Sequence, residues 1–355
     1  MMNPSERYFS PAKTVLLTGA GFTKPFGGFL ADEMWAVILN QPEIRQYPDL
    51  RRRMLEELNY ETLYDEVLTS DNYRTRDREK CAFRTAIRNA YQHMHENICR
   101  DDVRHRSSAS GACRSFVARF AGSAGEKGFF FTLNHDLFME RFYPNEKVES
   151  QVRIPGLPPK PKWFNGHLGP KLEQDDQDDY VRLPRREMVE QEKERFWARS
   201  SERFAYIKLH GSYGWITRRD GTDCMVIGHA KTEIIRNEAL LQWYLSLFEE
   251  VLQTGERNLV VIGYGFRDEH INNVIADAVR NHGLRLHVVS PMPPRDFREM
   301  LFPVHDPVGQ LGRPRGEDLW DGLFGYYGAS VTNFYDKNES LTPIGRAFFR
   351  DLGLN

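Results

Sequence analysis

Five short runs of β-branched and aromatic residues constrain this chain more than any other feature. They are Thr14 to Thr18, Phe129 to Leu133, Ala205 to Leu209, Leu259 to Ile262 and Leu286 to Ser290. Most are bounded by glycine, asparagine or proline, and their unbroken apolar character is that of strands buried on both faces of a parallel sheet. A weaker sixth run lies at Ser330 to Phe334. Helical patterns separate several of the runs, and strands alternating with helices require right-handed crossovers. Between the first two runs Phe83, Ile87, Tyr91, Met94 and Ile98 recur at spacings of four and three, which is one helical face. From Glu238 onward Leu240, Leu241, Tyr244, Leu245, Phe248 and Val251 cover a wide arc, as a well-buried helix requires. The expected fold class is α/β, a doubly wound parallel sheet with a helical insertion. Its core occupies 11–40 and 126–355, and the insertion occupies 41–125.

The remaining composition narrows the class. Over 355 residues, 48 basic side chains face 50 acidic ones, giving a formal net charge of −2. Overall electrostatic attraction therefore gives no reason to expect direct nucleic-acid or anionic-membrane binding. Hydrophobic residues at 40% and charged residues at 28% are the balance of a soluble globular protein. Leu259 to Phe266, a leading apolar run, is far short of the roughly 20 residues of a membrane span. Met1 to Ser10 has no apolar secretory core. Cys81, Cys99, Cys113 and Cys224 are widely spaced and form no C-x-x-C pair, which disfavours a zinc ribbon or a disulfide scaffold. No metal is expected, and a cytoplasmic setting is the simplest.

Two stretches look inserted. Pro144 to Pro170 is rich in proline and glycine, leads into the acidic run Glu173 to Asp179, and is followed by a charged stretch from Arg185 to Arg203. Residues 144–203 thus read as a solvated excursion, or as a lid or partner-docking arm within the core. Pro291 to Arg315 is a second proline-rich connector. Arg51, Arg52 and Arg53 read either as a solvated helix face or as a patch for an acidic surface.

Chemistry-bearing residues cluster at the carboxyl ends of the runs, the side of a parallel sheet that faces ligand. The first run opens into Gly19-Ala20-Gly21-Phe22-Thr23, where glycines let backbone approach a pyrophosphate held by free amides. A third glycine is missing, since position 24 is Lys24. The second run ends in Thr132-Leu133-Asn134-His135-Asp136. Asn134 offers a donor and an acceptor without charge, and Asp136 is a binding residue, a helix N-cap, or both. The third ends in Lys208-Leu209-His210-Gly211-Ser212, with His210 placed for proton transfer. The fourth ends in Gly263-Tyr264-Gly265-Phe266 ahead of Asp268, itself a possible N-cap, and the fifth ends at Ser290.

These clusters, in this order, resemble the sirtuin-like family, and in particular its bacterial NAD-hydrolase branch. The glycine loop resembles the family's G-A-G-[FI]-[ST] loop. Thr132, Asn134 and Asp136 match its T-x-N-x-D motif, with Glu140 continuing the helix, and His210 matches the histidine of L-H-G. Gly263 to Phe266 with Asp268 and Asn272 resemble its G-[YF]-[SG]-[FL]-x-D-x-x-[IL]-N segment. The resemblance covers about 13–290 and implies a Rossmann-like core that takes NAD as substrate. Asn134 and His210 would then be catalytic. Gly19, Ala20, Gly21, Phe22, Thr23, Thr132, Asp136, Gly263, Tyr264, Gly265, Asp268 and Ser290 would bind the nucleotide. The family's deacylases carry a four-cysteine zinc module and a proline-aspartate-phenylalanine-arginine element. This chain shows neither in recognisable form, which favours NAD cleavage without a peptide substrate, and the intact Asn134 and His210 argue against a non-catalytic nucleotide-sensing module. The resemblance further implies antiphage defence by NAD depletion, with the chain working as a homo-oligomer or with a separate activating partner such as a HerA-type ATPase.

Overall fold

The computed structural model describes residues 9–68, 77–104, 109–123, 125–142, 152–157, 181–198, 203–218, 221–302 and 316–354. Its strands are β1 (Ser10–Pro11), β2 (Thr14–Thr18), β3 (Glu126–Thr132), β4 (Val152–Arg153), β5 (Val181–Arg182), β6 (Phe204–Lys208), β7 (Gly211–Ile216), β8 (Asp223–Met225), β9 (Asn258–Ile262), β10 (Arg285–Val289) and β11 (Leu323–Tyr327). The main sheet runs β11-β10-β9-β2-β3-β6-β4, with β1 added beside β3, and every pairing in it is parallel. Counting only β2, β3, β6, β9, β10 and β11 in chain order, the sheet reads 3-2-1-4-5-6, the doubly wound Rossmann order. The chain leaves β2 for β3 on one side and later returns to β9 on the other, so a crevice opens beyond the carboxyl end of β2. Every residue of β2, β6 and β9 is buried, as strands covered on both faces must be.

Register brings the polar clusters into one row. Thr18 lies opposite Thr132 and Ile262, Thr132 opposite Lys208, and Ile262 opposite Val289. The loops after five adjacent strands therefore leave the sheet at the same level. In a small second sheet, β5-β7-β8, the central strand β7 begins directly after His210.

The expected sixth strand is displaced. Val331–Phe334 is one turn of 3-10 helix, held by Ser330 and Asn333 in a reciprocal cap, and the last strand is instead Leu323–Tyr327. That cap satisfies the backbone groups a strand would have needed. The Pro291 to Arg315 connector carries a helix, Pro294–Leu301, before the chain passes outside the described residues.

Helices fill the interval between β2 and β3: Ala31–Leu39, Pro42–Arg45, Pro48–Glu56, Tyr60–Leu68, Asp77–Arg104 and Ala109–Ala118. Phe83, Ile87, Tyr91, Met94 and Ile98 are all buried, the face their spacing indicates. Arg52 pairs with Asp49 and Glu56, and Arg53 with Glu66, so two of the three consecutive arginines are engaged within this helical block. Much of the 144–203 stretch, including the acidic run, lies outside the described residues. What is described packs on the sheet. β4 extends its edge, Lys127 Nζ donates to Phe196 O at 2.8 Å, and Tyr244 Oη donates to Pro155 O at 2.5 Å. No helix among the described residues is long and apolar enough to cross a membrane.

Candidate functional site

A cavity of about 1110 Å³ opens at the carboxyl ends of β2, β3, β6, β9 and β10. Gly19, Ala20, Gly21, Thr23, Asn134, Asp136, His210, Gly263, Tyr264, Gly265, Asp268 and Ser290 all line it. Two residues anticipated for nucleotide binding do not. Phe22 is buried against Phe26, Phe130 and Phe138, because it occupies the inward face of a one-turn helix above an aromatic core. Thr132 is taken up beneath the floor, where its hydroxyl accepts from Thr18 Oγ1 at 2.9 Å and from Asn134 N at 3.1 Å.

The glycine loop is built differently from the open amide nest its sequence suggests. Gly19 N donates to Ile262 O, Gly21 N to Gly263 O and Phe22 N to Gly19 O, so three of its amides are spent inside the protein. A Cβ on Gly19 would stand 2.7 Å from Gly263 O, and one on Gly21 would stand 2.7 Å from Gly263 Cα. These glycines thus serve the contact between the β2 and β9 loops. Gly263 answers from the other side with φ +65°, a conformation that disfavours any residue with a Cβ.

Asn134 and Asp136 hang from this loop. Thr23 Oγ1 donates to Asp136 Oδ2 at 3.0 Å, Phe138 N donates to Asp136 Oδ1 at 3.0 Å, and Asn134 Nδ2 lies 3.4 Å from Thr23 Oγ1. Both Asp136 oxygens are therefore occupied within the protein, which makes it a positioning group as well as the cap of the turn before helix Phe138–Phe142. With its amide nitrogen turned to Thr23, Asn134 keeps its carbonyl oxygen as the acceptor for a ligand.

Beneath them lies an ion pair. Lys208 Nζ reaches Glu140 Oε1 at 2.8 Å and also bonds Asp136 O, with both side chains fully buried. Burial pushes the Glu140 carboxyl up even with Lys208 beside it. A lysine closing an otherwise apolar strand is the sequence signal for this pair, since such a charge needs a buried partner.

On the opposite wall His210 Nε2 lies 3.0 Å from His270 Nε2. Burial first, then the Lys231 charge, holds His210 well below the ordinary histidine range. His270 is lowered too, chiefly by burial. His135, behind them, is pushed down to about 3 by burial and by Lys208 and Lys231. Asp268 occupies an N-cap position, yet its side chain makes no cap bond. It pairs instead with Lys231 at 2.6 Å, while Lys231 also pairs with Glu61 at 2.8 Å. Glu61 belongs to the helical block, and Asn59, Tyr60, Tyr91 and Met94 from that block line the cavity as well. None of the described residues of 144–203 does. Sequence reasoning passed over His270, Lys231 and Glu61, which lie on separate elements and meet only in space.

Residues 128–302 match the family model described as a SIR2-like domain, just under half of the 355-residue chain. The match takes in β3, β6, β9 and β10 with their polar clusters and supports a sirtuin-like family. The match suggests NAD-related chemistry. No curated protein matches the chain. Cys81, Cys113 and Cys224 are free thiols.

Proposed function

We propose that this chain hydrolyses NAD to nicotinamide and ADP-ribose. The observation that carries the reading is the convergence of Asn134 and His210 on one cavity at the switch point of a doubly wound sheet. In the reaction the bond between the ribose C1′ and the nicotinamide nitrogen breaks. Both electrons leave with the ring, which departs as neutral nicotinamide, so no strong general acid is needed. The positive charge passes to the ribose as an oxocarbenium-like centre, and water adds to C1′ and surrenders one proton. The protein's task is to hold the ribose, exclude bulk solvent and orient that water. Asn134 Oδ1 accepts from a ribose hydroxyl or the attacking water, and His210 takes the proton. Gly19 to Gly21, Gly263 to Gly265 and Ser290 provide the nucleotide surface, and Asp136 and Asp268 fix the loops that carry it.

Such an enzyme is toxic when always active, which fits a regulated effector of bacterial antiphage defence working as a homo-oligomer or with a separate activator such as a HerA-type ATPase. The test is nicotinamide release from NAD by the purified chain, alone and with co-expressed neighbours, with and without an acetylated peptide. We expect release that needs no peptide. Asn134→Ala and His210→Ala should each lower it by roughly 10²–10⁴-fold with the fold retained. A folded variant of either residue with near-normal turnover under activating conditions would reject the assignment.

A further inference from the structure

We propose that His210, His270 and Asp268 form a binding site for a single Zn²⁺, and that its occupancy switches the cavity off. The second half rests on the NAD-hydrolase reading; the first does not. Among the described residues this is the one group of His, Cys, Asp and Glu side chains arranged to converge on a cation, with ligand atoms all within 4.8 Å of one another. The two Nε2 atoms already stand 3.0 Å apart. Two nitrogens bound to a tetrahedral Zn²⁺ at ordinary lengths sit about 3.3 Å apart, so the rings need to part by only a few tenths of an ångström. Both imidazoles carry the proton on Nδ1 when a cation lies between the Nε2 atoms, and no proton need leave the site.

Charge and ligand type agree. Asp268 is paired with Lys231, but Lys231 is also held by Glu61 at 2.8 Å, so its ammonium stays compensated when the Asp268 carboxylate turns to a cation. Lys231, Asp268 and Glu61 together carry one net negative charge against an incoming dication. Two imidazoles and a carboxylate suit Zn²⁺ or Co²⁺, whereas Mg²⁺ and Ca²⁺ prefer shells of oxygen. All three side chains line the cavity, so a fourth position faces its interior and is open to water. The lack of paired cysteine spacing predicts no metal; this site runs counter to that expectation and uses no cysteine. A cation here takes the Nε2 lone pair of His210 and removes that residue from proton transfer.

Cobalt gives a readout independent of catalysis. Tag-free full-length chain is titrated with Co²⁺ and followed by the visible absorption of a four-coordinate site, with Zn²⁺ as competitor. We expect one Co²⁺ per chain, displaced by Zn²⁺, and at least about tenfold weaker binding in His270→Ala, since losing a ligand should cost no less than losing a ligand's own support. His270→Gln, which keeps bulk and polarity, should show the same loss, and circular dichroism confirms that both variants fold. Absence of the absorption in the parent chain, or equal binding by parent and both variants, overturns the site. Equimolar Zn²⁺ should stop nicotinamide release, and chelator should restore it. A chain that binds Co²⁺ yet releases nicotinamide equally with and without Zn²⁺ overturns the switch. Should NAD stay intact under every condition, the hydrolase reading and the switch built on it fall, while the cobalt titration still decides the site.

Discussion

Gly263 shows how much a single residue carries here. Its φ of +65° and the Phe22 backbone nitrogen packed against it leave no room for a side chain. We expect Gly263→Ala to lower the urea midpoint by an amount equivalent to at least about 1–2 kcal/mol, the cost of a left-handed alanine before any clash. An unchanged midpoint would mean that the β2 and β9 loops are not locked together as described. His287 makes a second residue-scale case. It is buried in β10 against Phe324 and Tyr327, neither ring nitrogen has a hydrogen-bond partner, and burial pushes it down to about 4. A folded value below the unfolded one means that the stability this residue permits is complete above about pH 6.5 and lost as pH falls toward 4. His287→Leu should therefore flatten the fall in urea midpoint between about pH 7.5 and about pH 5; an equally steep fall in the variant would assign that sensitivity elsewhere. The contrast between Asn134 and Phe22 says what was legible at this scale. A motif letter identifies the backbone position, and so Asn134 and His210 fall on the cavity, as does Ser290 from its place at a strand's carboxyl end. It does not say which way a side chain turns, and Phe22 turns into the core.

Among the elements, strands buried on both faces were readable because sequence and burial coincide: β2, β6 and β9 are continuous apolar runs with no solvent face to interrupt them. β11 was not, since Leu-Phe-Gly-Tyr-Tyr is a half-exposed edge strand broken by Gly325, where a Cβ would press on His287. Ser330 to Phe334 reads as a strand because it is a β-branched and aromatic run, yet a one-turn helix buries Val331 and Phe334, three apart, on one face. Phe334 stacks on Phe116 and on Phe348 of the terminal helix Pro343–Leu352, joining the C-terminal segment to helix Ala109–Ala118. This aromatic cluster lies outside the SIR2-like match and closes the end of the helical block onto the core. We expect Phe348→Ala to destabilise the whole chain by about 3–5 kcal/mol in a single urea transition, as deletion of a buried ring does. A separate early transition confined to the terminal helix would show that the segment is an appendage.

For the molecule as a whole, the proposed function raises the question of how a cavity that would cleave NAD is kept in check. The helical block supplies Asn59, Tyr60, Glu61, Tyr91 and Met94 to the cavity wall, and it is moored to the core at several points. Lys231 bridges Glu61 to Asp268, Arg88 pairs with Asp223 at 2.7 Å, and Asn97 Nδ2 donates to Gly27 O at 2.8 Å. Lys231 thus ties helix Tyr60–Leu68 to Asp268 in the β9 loop, two residues from His270. Segments beyond the minimal nucleotide-binding core are also where subunit contacts are made at least cost to the active centre. A second copy seated on residues 41–125 or 144–203 would then set the cavity's geometry without touching NAD. On this reasoning we expect a homo-oligomer whose contacts are supplied, or whose cavity is gated, by those two segments, with turnover following assembly. Light scattering across a dilution series, run beside nicotinamide release on the same samples, makes the comparison. Release per chain should fall as the particle dissociates, and a monomer at micromolar concentration that turns over NAD at the full rate would refute the coupling.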